Sequence, residues 1–322
     1  MRAVVCPVHG PPEVVRIEER PAPEPGPGQV RVRVAAAAVN FPDVLLIADR
    51  YQISVPPPFV PGSEFAGPVD AVGDGATGVA VDDVVTSTGL VGAFAEWVVV
   101  DAAKVQVVPP GVDVRTAAAF GVAHRTAYHT LRSTARVGAG DELLVLGAGG
   151  GVGLAAVQLG AALGATVTAV ASSPEKLEVA ARHGAHRLVD HRAGPLRDGL
   201  RQALPDGADA VVDPVGGDLS EPALRSLRRG GRFVTVGYAS GKVPSIPLNL
   251  VLVKGIHVLG FQFQDVPPDE YARNEGELGE LLVAGRAAPY VGAAYPLDAA
   301  AEALRYVADG RAIGKVLLDI GS

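Results

Sequence analysis

The sequence predicts an α/β protein built from a mostly β domain and a doubly wound parallel-sheet domain. Two observations carry that expectation. A chain of 322 residues exceeds what one hydrophobic core usually serves. Its rhythm also changes along the chain: residues 1–121 are rich in Pro, Gly and Val with short β-like runs, whereas from about Ala139 strand-like and helix-like stretches alternate.

Composition removes several function classes. With 28 basic against 35 acidic side chains and a net charge of −7, no chain-wide basic field attracts nucleic acid or anionic lipid. A hydrophobic share of 48% with 20% charged residues excludes disorder at the scale of the chain. The lone Cys6 allows neither an internal disulfide nor a zinc site of four cysteines, so a reducing, cytoplasmic setting is expected. The first residues show no basic segment followed by an apolar run, so no signal peptide is read. Residues 143–174 carry no charge and imitate a membrane span, but seven glycines break them into short runs, and they read as buried α/β structure.

In the first part, residues 29–37 and 94–100 read as strands bounded by turn residues. The second part begins with a strand and Gly-rich turn at 143–153, followed by a helix and a second strand over 165–171. Further strands are expected at 187–190, 209–217, 232–237 and 256–261, with helices near 174–184, 196–204 and 219–228. Six strands are counted. A polar helical stretch then runs to about Arg286, and a final strand, helix and strand return to complete the first domain.

The Gly-rich turn carries the first functional signal. Gly150, Gly151, Val152 and Gly153 stand between an apolar strand and a helix. Gly150 would let the backbone approach a pyrophosphate, and Gly153 would let the helix pack close to the strand. The positive end of the helix dipole then faces the phosphates. About twenty residues on, where an NAD site places a carboxylate, the sequence reads Ala171-Ser172-Ser173-Pro174-Glu175-Lys176. Ser172, Ser173 and Lys176 can contact a 2′-phosphate, which favours NADPH over NADH. Ser172 with Glu175 also reads as a capping box, which explains the serines but not the missing acid.

Several ordered motifs resemble the medium-chain dehydrogenase/reductase superfamily, and within it the zinc-independent quinone oxidoreductase (zeta-crystallin-like) branch. They are Val39-Asn40-Phe41-Pro42-Asp43 with Tyr51, Pro61-Gly62-Ser63-Glu64-Phe65-Ala66-Gly67, Phe94-Ala95-Glu96, Thr126-Ala127-Tyr128-His129, Asp213-Pro214-Val215-Gly216-Gly217 and Gly314-Lys315-Val316, besides the Gly-rich turn with Gln158. The resemblance runs nearly end to end. It implies a GroES-like substrate domain over residues 1–121 and 262–322, a Rossmann NADPH-binding domain over 122–261, and a cleft between them. Zinc alcohol dehydrogenases of the superfamily carry Cys where this sequence has Asn40 and His where it has Ser63, so no metal is expected.

Departures from the branch pattern are Ala123-His124-Arg125 before Thr126, Gly149, Ala161, Asp49, and Asp82-Asp83-Val84-Val85. The resemblance implies that Tyr51 donates its phenol proton to the acceptor oxygen; as a plain residue it is a half-buried loop tyrosine. Asn40 can donate to a carbonyl, Asp43 can act with it or only fix the loop, and Thr126 either bonds near the nicotinamide or caps a helix. His124 reads as a proton relay or as a structural histidine. Similar proteins place His191 by the adenosine phosphate, Gly237 and Tyr238 along the cofactor, and Phe261 and Gln262 at the nicotinamide, with Lys315 reaching the same cofactor.

The resulting expectation is an NADPH-dependent reductase of small apolar quinones or of the activated C=C bonds of enones. An enoyl-thioester reductase and a non-catalytic NADPH-binding protein are the alternatives. A homodimer is expected through the apolar edge strand 256–261, which no lysine, proline or acid blunts.

Overall fold

The computed structural model describes residues 1–321. They form two units: Met1–Val122 with the C-terminal segment from Ala288, and Ala123–Ala287.

The second unit is a six-stranded parallel sheet in the spatial order Arg187–Asp190, Thr166–Ala171, Glu142–Leu146, Ala208–Asp213, Leu227–Thr235, His257–Gly260. This is the 3-2-1-4-5-6 order of a doubly wound fold, with the last strand at an edge. The central strands read as unbroken apolar runs because helices cover both faces; Leu143, Leu144, Val145, Leu146, Val211 and Val212 are all fully buried. The crossovers are the helices Gly151–Ala162, Pro174–Arg182, Leu196–Ala203, Ser220–Arg225 and Leu248–Lys254.

In the first unit, eight strands form one antiparallel-rich sheet whose main path is Val291–Pro296, Lys315–Asp319, Ala36–Val39, Glu64–Val72, Gln29–Arg33, Trp97–Asp101. Val84–Thr88 pairs with Glu64–Val72 and with Gln106–Val107. The expected strand over 29–37 is thus two strands, Gln29–Arg33 and Ala36–Val39; both pair with Glu64–Val72, the first also with Trp97–Asp101 and the second with Lys315–Asp319. Two departures from the branch pattern fall at left-handed backbone: Asp49 has φ 52° and Asp82 has φ 73°. Aspartate is among the few non-glycine residues that visit this region at modest cost.

Two expectations need correction. Residues 262–287, assigned to the first domain, group with the second unit. The reason is the helix Pro268–Val283, which is tied to the end of the helix Val114–His129 and the turn after it. His129 Nε2 lies 2.8 Å from Glu275 Oε1, Tyr128 donates to Glu277 at 2.7 Å, and Asn274 Nδ2 donates to Ser133 at 3.0 Å. His129 and Asn274 are fully buried, so separating these helices would strand polar groups away from water. Thr126, in turn, caps nothing: its helix begins at Val114, and Thr126 sits partly buried in the helix interior.

Candidate active site

In the second unit the strand Glu142–Leu146 runs into Gly147-Ala148-Gly149-Gly150, and the helix Gly151–Ala162 follows with Gly150 as its N-cap. No side chain caps this helix and no acid stands in its first turn, so the positive end of its dipole is not neutralised from within. A Cβ on Gly153 would lie 2.1 Å from the Gly147 carbonyl oxygen, so close approach of helix and turn requires glycine there. Around Gly150 nothing stands nearer than 3.5 Å to such a Cβ, so glycine at that position is not demanded by packing. The Lys176 stem lies against the turn, 2.6 Å from where a Gly149 Cβ would be.

Every expected cofactor residue of this unit lies just beyond the C-terminal end of a parallel strand. Gly150, Gly151, Val152 and Gly153 follow Leu146, Ser172 and Lys176 follow Ala171, His191 follows Asp190, Gly237 and Tyr238 follow Thr235, and Phe261 and Gln262 follow Gly260. That is the edge at which open parallel sheets bind ligands. Tyr238 is 37% exposed and packs on Gly216, Gln262 is exposed, and Phe261 is buried with its ring edge-on to Phe263 at 5.0 Å.

At the second strand the capping box expected from Ser172 and Glu175 is not formed. Ser173 is the N-cap of the helix Pro174–Arg182, accepting from Lys176 N at 3.4 Å. Ser172 is thereby released from capping, and its hydroxyl accepts from Lys176 Nζ at 3.4 Å. Burial, and then the charge of Arg192, push the Lys176 ammonium below its usual value. The same two causes lower the His191 imidazole. The charges of Lys176 and Arg192 thus act on each other and on His191 at the ends of two neighbouring strands, with the Asp190 carboxylate opposing them at His191. Arg192 is an addition that the motifs do not point to; a basic residue directly after the third strand is the available signal.

In the first unit a buried polar cluster forms where three strands meet. Val316 pairs with Val39 and Ala37 with Phe65, which brings Lys315, Asn40 and Glu64 to one end of the sheet. Lys315 Nζ donates to Asn40 Oδ1 at 2.5 Å and to Glu64 Oε2 at 3.0 Å. Asn40 Nδ2 in turn faces Glu64 Oε2 at 3.2 Å and Ser63 Oγ at 3.4 Å. Glu64 Oε1 accepts from Val122 N at 2.7 Å. Asn40 also caps the helix Phe41–Ile47, with Asp43 Oδ2 accepting from Asn40 N at 2.7 Å. Asp43 is fully buried, and burial pushes its carboxyl up to about 7.

This geometry separates residues that the sequence grouped together. Asn40 and Asp43 hold each other and the cluster. Lys315, expected at the cofactor, has its ammonium engaged by Asn40 and Glu64 inside the first unit. Tyr51 stands half-buried in the loop after Phe41–Ile47. His124 is buried and bonded to Gln158 at 3.1 Å, while Arg125 is held by Glu275 at 3.0 Å and by the Tyr271 hydroxyl. Both behave as parts of the packing between helices.

Comparison with known proteins agrees with this layout. The family profile described as "Alcohol dehydrogenase GroES-like domain" matches residues 26–110, and that described as "Zinc-binding dehydrogenase" matches 151–277. The quinone oxidoreductase of Homo sapiens is 31% identical over 322 residues, covering 99% of this chain and 97% of that protein. The chain belongs to the medium-chain dehydrogenase/reductase superfamily, in its quinone oxidoreductase branch. Among solved structures, Escherichia coli quinone oxidoreductase complexed with NADPH superposes with a TM-score of 0.90 at 28% identity, covering 99% of this chain and all of that one. An NAD-dependent alcohol dehydrogenase superposes at 0.91 with 33% identity and full coverage of both chains.

The name of the second profile raises zinc, and the residues here do not fit it. At the superfamily's ligand positions the donors are the neutral amide of Asn40 and the hydroxyl of Ser63, and the neighbouring Glu64 carboxylate is already paired with the Lys315 ammonium. A cationic nitrogen inside the donor set repels a dication. Among the described residues no group of three or more His, Cys, Asp or Glu is placed to hold a metal, and no helix is long and apolar enough to cross a membrane.

Proposed function

We propose that this member of the quinone oxidoreductase branch is a zinc-independent, NADPH-dependent reductase of small apolar quinones or of the activated C=C bonds of enones. The observation that carries the cofactor preference is the group Ser172, Lys176, His191 and Arg192 at the ends of the second and third strands, in place of a carboxylate after the second. Bound NADPH supplies the hydride. Gly150, Gly151, Val152 and Gly153 would hold its pyrophosphate, and the basic group its 2′-phosphate. Gly237, Tyr238, Phe261, Gln262 and Thr126 would line the rest of it. Lys315 is left out of this assignment, because its ammonium serves the buried cluster.

On the acceptor side, Tyr51 would donate to the oxygen that gains charge. Asn40 supports this less directly: its amide is committed to Lys315, Glu64 and Ser63, so it fixes the wall of the site. Calorimetric titration with NADPH and NADH tests the assignment, and tighter binding of NADH would refute it.

We also propose a cytoplasmic homodimer. The lone Cys6 suits a reducing compartment. The edge strand His257–Gly260 and the adjoining helix leave Leu248, Leu252 and Val253 between 65% and 83% exposed, an apolar surface that a second copy would cover. Light scattering should give twice the chain mass of 32.9 kDa, and a stable monomer would overturn the pairing.

A further inference from the structure

The motif Asp213-Pro214-Val215-Gly216-Gly217 has no part in the cofactor contacts proposed so far. Its strand, Ala208–Asp213, lies beside Glu142–Leu146 with Val212 opposite Val145, and between these two strands the order of the sheet reverses. The crevice at such a reversal is where an open parallel sheet takes its ligand. Asp213 ends the strand and is fully buried. Its Oδ1 accepts from the Val215 and Gly216 N–H groups, each at 2.8 Å, and its Oδ2 accepts from the Ser220 hydroxyl at 2.5 Å. All three donors are neutral. A carboxyl group taken out of water needs hydrogen bonds to offset its desolvation, and here two of the three come from one turn.

That turn joins two others at the cofactor edge of the sheet. On one side Val215 packs on the Gly-rich turn, its Cγ2 2.6 Å from where a Gly147 Cβ would be. On the other side it is hydrogen-bonded along the turn after the fifth strand: Ala239 N to Pro214 O at 3.2 Å, Ser240 N to Val215 O at 2.9 Å, and Gly217 N to Lys242 O at 2.9 Å. Gly216 is left-handed at φ 70°, and a Cβ there would lie 2.8 Å from Cδ1 of the Tyr238 ring. The placement of Tyr238 against the Gly-rich turn thus follows the path of residues 214–217, and Asp213 Oδ1 fixes that path.

We propose that Asp213 is a positioning residue for the cofactor: by holding the 214–217 turn it sets the Gly-rich turn and the turn of Gly237 and Tyr238 in the arrangement that NADPH requires. The inference rests on the cofactor contacts proposed above. Asp213, being buried, acts through the turn. Its two oxygens have separable tasks, because Oδ1 fixes the turn whereas Oδ2 ties the strand end to the helix Ser220–Arg225. The turn stands across the first strand from the second and third, whose ends carry Lys176 and Arg192. Its loss therefore weakens NADPH and NADH alike, unlike the loss of Lys176.

Calorimetric titration of the whole protein with NADPH and with NADH tests this. Asp213→Ala should raise both dissociation constants by a similar factor of about 10, because the turn must then be ordered on binding instead of in advance. Asp213→Asn keeps one oxygen for the two N–H groups and can donate to the Ser220 hydroxyl, so both constants should return to within about threefold of wild type. Ser220→Ala touches Oδ2 alone; it should lower the melting temperature and leave both affinities within about the same threefold limit. Wild-type affinity in Asp213→Ala, a loss confined to NADPH, no rescue by Asp213→Asn, or a loss of about tenfold in Ser220→Ala would each overturn the proposal. Should Asp213→Ala not fold, Gly216→Ala takes its place: its Cβ meets Tyr238 and deforms the same turn, so an equal loss for both cofactors is expected and unchanged binding would overturn the proposal. Wild-type protein that binds neither cofactor refutes the cofactor contacts themselves, whereas variants that bind NADPH as the wild type does refute only the role of Asp213.

Discussion

Lys315 Nζ lies 3.0 Å from Glu64 Oε2 with the two side chains 4% and 0% exposed, so an ion pair is sealed inside the first unit. Strand register brings it about, by setting Lys315 beside Asn40 and Glu64 beside Ala38. Removing one partner leaves a bare charge in the interior. Lys315→Met should therefore cost about 3–5 kcal/mol in urea unfolding. Glu64→Gln should cost a similar amount, and the double variant clearly less than the sum of the two. Additive losses would show that the two charges do not sustain each other.

The Lys176 ammonium beside Ser172 leads to a prediction about cofactor choice. A charge-assisted contact contributes about 1.5–3 kcal/mol, so Lys176→Ala should weaken NADPH binding by one to two orders of magnitude and spare NADH. Arg192→Ala should act in the same direction and more weakly, because its side chain is exposed. Calorimetry with both cofactors decides. Equal losses for NADPH and NADH would mean that these residues shape the turn and do not read the phosphate.

Tyr51 is expected to serve turnover and not cofactor binding. Tyr51→Phe removes one donor while keeping the ring, and should lower kcat about 10-fold or more with quinone and enone acceptors, at unchanged NADPH affinity. Unchanged turnover with every acceptor would reduce Tyr51 to lining.

Asp43 also makes stability depend on pH. Its carboxyl is raised from 3.8 to about 7, so the fold prefers the protonated form. That contribution is fully present below about pH 4 and is lost as pH rises through about 7. Wild-type protein should lose a few kcal/mol from this group over that window, and Asp43→Asn should lack this part of the decline. Identical pH–stability curves for the two proteins would show Asp43 ionising as an ordinary surface acid.

The parts legible in the sequence are those set by local pattern. Six apolar strands, their alternation with helices and the strand–turn–helix at Gly150 to Gly153 follow from short-range periodicity and glycine chemistry, and the fold repeats them. The helix cap falls one residue later than the pattern suggests, because Ser172 and Ser173 have the same chemistry and only the end of the strand at Ala171 decides which of them leads the helix. The allegiance of residues 262–287 is not legible, since it is decided by contacts such as Asn274 with His129, 145 positions apart. The destination of Lys315 is hidden for the same reason: its partners Asn40 and Glu64 lie 275 and 251 positions away.

Steady-state oxidation of NADPH and NADH by the purified protein against quinones, enones, enoyl thioesters and, in reverse with NADP⁺ and NAD⁺, simple alcohols decides whether the protein is a zinc-independent NADPH-dependent reductase. NADPH oxidation with quinones or enones is expected, with a marked preference over NADH and no loss of activity on treatment with a chelator. Chelator-sensitive oxidation of alcohols with NAD⁺, or no acceptor reduced at all, would contradict it.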